Sequence, residues 1–169
     1  AISHVSNTLG TINPVKELVA EAKKRGIITV VDGAQAIAHL NVDVQDLSCD
    51  LYTFSGHKAY GPTGIGVLYG REELLERMPP YQGGGEMIDT VTFAKSTWAK
   101  LPFKFEAGTP NIAGIIGLGE AFRWMEDYDK SAMAAHEQEL LALAIKELLA
   151  IEGLRIIGTA KEKVGVISF

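Results

Sequence analysis

The chain has 169 residues, 47% hydrophobic and 22% charged, which is globular composition with too many apolar residues for a disordered chain. Its 16 Lys and Arg against 21 Asp and Glu leave a net charge of −5, which argues against a nucleic acid or an anionic membrane as partner, since both favour a basic surface. The one cysteine, Cys49, excludes an internal disulfide and suits a reducing, cytoplasmic setting, and no apolar run reaches the ~20 residues of a membrane helix.

Residues 1–5 read as a short apolar strand, followed by a polar loop. Asn13 is a candidate N-cap, Pro14 suits the first helical turn, and Gly26 suits the position just past the end. Between them Val15, Leu18, Val19 and Ala22 recur at the spacing of an amphipathic helix. The run 27–31 is apolar apart from Thr29, as in a strand buried on both faces of a parallel sheet. After a linker, 50–55 and 64–69 read as strands and 72–77 as a short helix. This order predicts a layered α/β architecture.

The segment 79–85 is rich in Pro and Gly and reads as a loop. Residues 86–110 carry no clean period and predict a long loop with one short strand, of a length that is usually functional. Helical spacing returns over 112–128, with Ile115, Leu118, Phe122 and Met125 on one face. Asp129 or Ser131 then caps a longer helix to Glu152, which Gly153 ends. The segments 154–157 and 164–169 read as strands. A domain boundary is expected near Asp129, dividing the chain into 1–128 and 129–169. A chain that opens and closes on strands is expected to be an internal piece of a longer protein.

Two clusters could carry chemistry. Asp32-Gly33-Ala34-Gln35 follows the buried strand, where open α/β sheets bind ligands beyond their carboxyl ends; alone, Asp-Gly is more often a simple turn. Ser55-Gly56-His57-Lys58 ends a second strand. Ser55 and His57 are donors suited to a phosphate, and Lys58 offers an amine, although a lone lysine beside a turn is ordinarily just solvated. Together they form a more specific set. An acid, an amine and hydroxyl and imidazole donors on one sheet rim can hold pyridoxal phosphate, with Lys58 on its carbonyl carbon, Asp32 against the pyridinium nitrogen and the donors on phosphate.

Other residues carry less. Asn7 is evenly balanced between ligand contact and loop cap. The spacing Gly114, Gly117, Gly119 is not a dinucleotide fingerprint and fits close helix packing. The run Gly83-Gly84-Gly85 lacks the Lys-Ser/Thr of a P-loop. Cys49, His4, His39 and His136 show neither an activated-thiol nor a metal-ligand pattern and read as structural.

VDGAQAIAH, FSGHKAYGPTGIGVLYG, PPYQGGGEMI and FEAGTPN together resemble the SUF-type (group II) cysteine desulfurases, in the cysteine desulfurase/selenocysteine lyase branch of the class V aminotransferase-like pyridoxal-phosphate enzymes. The match runs in order along nearly the whole chain and is most specific up to Asn111. It implies a fold type I transferase, with 1–128 as the C-terminal part of the large cofactor domain and 129–169 as the beginning of the small α+β domain. It also implies an active site at a homodimer interface. Lys58 resembles the Schiff-base lysine and proton shuttle, and Asp32 the pyridinium partner. Gln35 resembles the donor to the cofactor's phenolic oxygen, and Ala34 the residue against the ring face. Ser55 and His57 resemble phosphate ligands, Thr109 a phosphate contact donated across the dimer, and Asn7 a contact to the substrate carboxylate. The implied reaction converts L-cysteine to L-alanine and passes the sulfur as a persulfide to an acceptor protein for iron–sulfur cluster assembly; selenocysteine is a further implied substrate. The family's catalytic cysteine and carboxylate-binding arginine fall beyond Phe169, and Cys49 does not occupy that cysteine's position. Two alternatives stay open: another class V enzyme such as a kynureninase-like hydrolase, or a non-catalytic folding or dimer-interaction unit.

Overall fold

A computed structural model describes residues 1–169. Its centre is a four-stranded sheet in the order β1 (Ile2–Ser3), β2 (Val30–Asp32), β3 (Leu51–Ser55), β4 (Gly66–Gly70). The first three strands are parallel and β4 runs antiparallel to β3. The crossover from β1 to β2 is α1 (Val15–Lys24), and that from β2 to β3 holds two short helices, α2 (Ala36–His39) and α3 (Val44–Leu47). The short helix α4 (Glu72–Arg77) follows β4. A hairpin of β5 (Ile88–Val91) and β6 (Ser96–Trp98) comes next, and two helices close the order, α5 (Ile112–Glu126) and α6 (Lys130–Leu149).

Helices cover one face of the sheet. Val31 and Tyr52 are register partners, and both are buried with Val15 and Val19 of α1, Leu47 of α3 and Cys49. Phe54 lies two residues beyond Tyr52 on the same face and meets Phe122 of α5 edge-on, with ring centroids 5.9 Å apart. Strand alternation turns Asp32, Thr53 and Leu68 to the opposite face, where Leu68 is half exposed. A second cluster of Val5, Ala36 and Val164 anchors the last residues of the chain beside the loop after β1.

Several elements differ from the sequence expectation. Asn13 does not cap α1; its carboxamide donates to the Ser3 carbonyl at 2.7 Å, and Pro14 stands at the cap position with no side-chain bond. Gly26 does end α1, in the left-handed region at φ 66°, where glycine avoids a Cβ clash. Leu18 and Ile115 are exposed although they share the predicted stripes; the buried side of α5 is Gly114, Leu118, Ala121 and Met125. Ile27 and Ile28 are also exposed, and the first register pair with β3 is Val30 with Leu51, so the run is not buried on both faces. The 86–110 region holds two paired strands rather than one. The segments 154–157 and 164–169 are not strands; they meet through a single bridge between Ile157 and Ser168. Asp129 caps α6 as expected, accepting from the Ser131 and Ala132 amides, but the helix stops at Leu149.

Candidate active site at the carboxyl edge of the sheet

β1, β2 and β3 run the same way, so the segments after Ser3, Asp32 and Ser55 all leave from one edge. The register pairs Ser3 with Asp32 and Asp32 with Thr53. Adjacent strands lie about 4.8 Å apart, which sets the Asp32 turn beside the strand that delivers Ser55, His57 and Lys58. Asn7 follows β1 on the same edge.

Each turn is held by backbone bonds. The Asp32 carbonyl accepts from the His4 amide at 2.7 Å, and the Gly33 amide donates to the Thr53 carbonyl at 2.8 Å. Asp32 Oδ1 accepts from the Ala34 amide at 2.9 Å, so the Asp-Gly pair does form a turn, while the side chain stays exposed at the edge. Gly33 is required there: a Cβ at that position would sit 2.1 Å from the Tyr52 ring beneath it. Gln35 occupies the N-cap position of α2 without a side-chain cap bond, so its carboxamide is not consumed in starting that helix.

The lysine turn is tighter. Gly56 donates to the Ile65 carbonyl, and Ala59 and Gly61 both donate to the Gly56 carbonyl, at 2.8–3.0 Å. Ala59 is fully buried and Lys58 half-buried between it and exposed His57. Tyr60 takes a left-handed φ of 58°, a strain of about 1 kcal/mol in a non-glycine residue; its ring packs at a tilt against Trp124 with centroids 5.1 Å apart. Ser55 and His57 line a shallow depression of about 560 Å³ with Thr53, Gly64 and Gly66. Neither Asp32 nor Lys58 is in an ion pair within the chain.

The remaining expected residues lie further out. Asn7 is exposed, and Ser6 caps the same turn, its Oγ accepting from the Leu9 amide at 3.1 Å. Thr109 does not join Ser55 and His57 in their depression. It lines a separate groove of about 400 Å³ with Glu86, Phe103 and Gly108. Asn111, which the sequence did not single out as a site residue, links the two regions. Its Oδ1 accepts from the Gly114 amide at 3.0 Å and caps α5, and its Nδ2 donates to the Gly64 carbonyl at 3.2 Å, in the loop that follows Lys58. Cys49 is buried, and burial pushes its thiol pKa up, which makes it a poor nucleophile.

The sequence profile of the aminotransferase class-V family matches residues 1–169. The chain belongs to that family. It is 53% identical over its whole length to a probable cysteine desulfurase of Halalkalibacterium halodurans and 51% identical to a cysteine desulfurase of Cronobacter sakazakii. It spans only 41% and 42% of the lengths of those relatives. The cysteine desulfurase CsdA of Escherichia coli superposes with a TM-score of 0.89 at 45% identity, covering 92% of this chain and 39% of that one. A cysteine desulfurase of Thermococcus onnurineus superposes at 0.93 and 40% identity, covering 99% and 42%. The fold is that of the fold type I pyridoxal-phosphate enzymes, as the sequence predicted.

Proposed function

We propose that this chain is the central, cofactor-holding part of a pyridoxal-phosphate-dependent cysteine desulfurase, acting as a homodimer on L-cysteine. The observation that carries this is the carboxyl edge of the sheet, where the Asp32 turn and the Lys58 turn leave adjacent parallel strands. The donor set fits the cofactor. Asp32 keeps a carboxylate exposed at the edge, Ser55 and His57 border an open depression, and the Lys58 amine is free of any ion pair. When bound, pyridoxal phosphate supplies a sink for the electron pair left at the substrate Cα.

The chain's own groups do the rest. The Asp32 carboxylate favours the charged, protonated form of the ring nitrogen. Gln35 donates to the phenolic oxygen, Ala34 packs against the ring, and Ser55 and His57 hold the phosphate. Lys58 Nζ would take the substrate Cα proton as general base. Asn7 binds the substrate carboxylate, and Thr109 reaches the phosphate of the partner subunit's site, in keeping with its separation from Ser55 and His57 within one chain. L-Cysteine becomes L-alanine as an enzyme cysteine thiolate takes its sulfur to form a persulfide, and that persulfide delivers the sulfur to an acceptor protein that feeds iron–sulfur cluster assembly in the cytoplasm. Selenocysteine fits the same site as an alternative substrate. The division at Asp129 separates the large domain from the start of the small one.

The test is borohydride reduction of the full-length protein after loading with cofactor, followed by peptide mass analysis. A pyridoxyl adduct on Lys58 is expected, with loss of alanine formation in Lys58→Ala. An adduct scattered over many lysines, or turnover that survives the substitution, would refute the assignment.

A further inference from the structure

Beneath the Asp32 turn lies a buried polar pair that the chemistry above leaves unused. Tyr52 and His4 are 1% and 8% exposed. The Tyr52 hydroxyl and His4 Nδ1 are 3.0 Å apart, and the rings meet edge to face with centroids separated by 6.0 Å. The two residues come from β3 and from the end of β1, on either side of the strand that carries Asp32.

Both neighbouring strands hold the turn. The His4 amide donates to the Asp32 carbonyl at 2.7 Å, and the carbonyl of Thr53, next to Tyr52, accepts from Gly33 at 2.8 Å. The Tyr52 ring presses against Gly33 so closely that a Cβ there would lie 2.1 Å from Cε1 and 2.2 Å from the phenolic oxygen. Burial, and after it the charges of Cys49 and Asp32, raise the Tyr52 pKa. Burial lowers the pKa of His4. The pair is therefore neutral at pH 7 and shares one hydrogen bond. Packing alone does not call for this chemistry: a phenylalanine and an aliphatic residue would fill the space without the cost of burying a hydroxyl and an imidazole.

We propose that His4 and Tyr52 are positioning residues for the Asp32-Gly33 turn, a hydrogen-bonded floor under its backbone that fixes where the Asp32 carboxylate, on the other face of the sheet, meets the ring nitrogen of the cofactor. This rests on the assignment of Asp32 as pyridinium partner. It goes further in giving a role to two residues that never touch the cofactor.

The experiment uses the full-length protein and four variants, Tyr52→Phe, His4→Leu, His4→Asn and Asp32→Asn. The dissociation constant of pyridoxal phosphate and the absorbance spectrum of the bound cofactor are measured by titration of each apo-protein, and the melting temperature of each apo-protein is measured separately. Tyr52→Phe and His4→Leu are expected to weaken cofactor binding on the order of tenfold, as loss of an orienting outer-shell partner does at other sites, and to alter the spectrum in the same direction as Asp32→Asn. His4→Asn restores an amide where Nδ1 stood and should recover most of the loss. The His4→Leu and His4→Asn comparison decides the matter even if Tyr52→Phe fails to fold. The proposal is overturned if these variants change only the melting temperature, with binding and spectrum as in the parent. If Asp32→Asn itself leaves binding and spectrum unchanged, the assignment of Asp32 falls, and the proposal with it.

Discussion

Helices α1 and α6 are built to opposite plans. In its 10 residues α1 presses Val15 and Val19, each 2% exposed, into a core shared with both central strands. The 20 residues of α6 bury only Leu141, while Leu140, Leu143 and Leu149 stay more than half exposed. What holds α6 is mostly polar. Glu137 pairs with His39 of α2 at 2.9 Å and accepts from the Gly165 amide, and Gln138 donates to the Lys163 carbonyl at 2.7 Å. The site-bearing edge thus rests on apolar packing that this chain completes by itself, whereas α6 is held by a few directional bonds. Burial strengthens roughly with area, so the two regions should differ in local stability, and substitutions can test that contrast.

The largest effect should come from Tyr52→Ala, which empties the centre of the strand core and should cost about 3–5 kcal/mol, measured by urea unfolding followed by circular dichroism. A loss below about 1 kcal/mol would show that the core is not centred there. Leu141→Ala should cost less, about 2 kcal/mol, and act locally: amide exchange in α6 should accelerate while the amides of β2 and β3 hold their rates. Equal acceleration in both would mean that the regions unfold as one unit.

Acidity gives a smaller effect. The His4 pKa is lowered by burial, so unfolding favours proton uptake. The stability linked to His4 is complete above the unfolded value near 6.5 and is lost as the pH falls from there towards the folded value. The urea midpoint should decline below about pH 6.5, and His4→Asn should flatten that decline. Least of all, Leu143→Ser should leave stability within about 0.5 kcal/mol of the parent, because the side chain already faces water.

What the sequence disclosed follows the range of each signal. The ends of β2 and β3, and the acid and amine beyond them, were legible because an apolar strand followed by turn residues is a local pattern. The exposure of Leu18, Ile27 and Ile115 is not legible, because periodicity identifies a face without saying what covers it. Residues 164–169 imitate a strand for a related reason: Val164 is apolar because it packs against Val5 and Ala36, not because it belongs to a ladder. The second strand of the 88–98 hairpin was hidden by polar Ser96 and Thr97, whose side chains leave little alternation to detect. The pairing of His4 with Tyr52 spans 48 positions, and nothing in the neighbourhood of either residue announces it.

Asn111 sets one more condition on the molecule. A single carboxamide starts α5 with its oxygen and fastens the loop after Lys58 with its nitrogen, two residues beyond Thr109. The amine on one side and the threonine on the other are thereby geared to a common pin. Any force that tilts α5 is delivered to the lysine loop through that amide, and the spacing between the two could drift without a change in either residue.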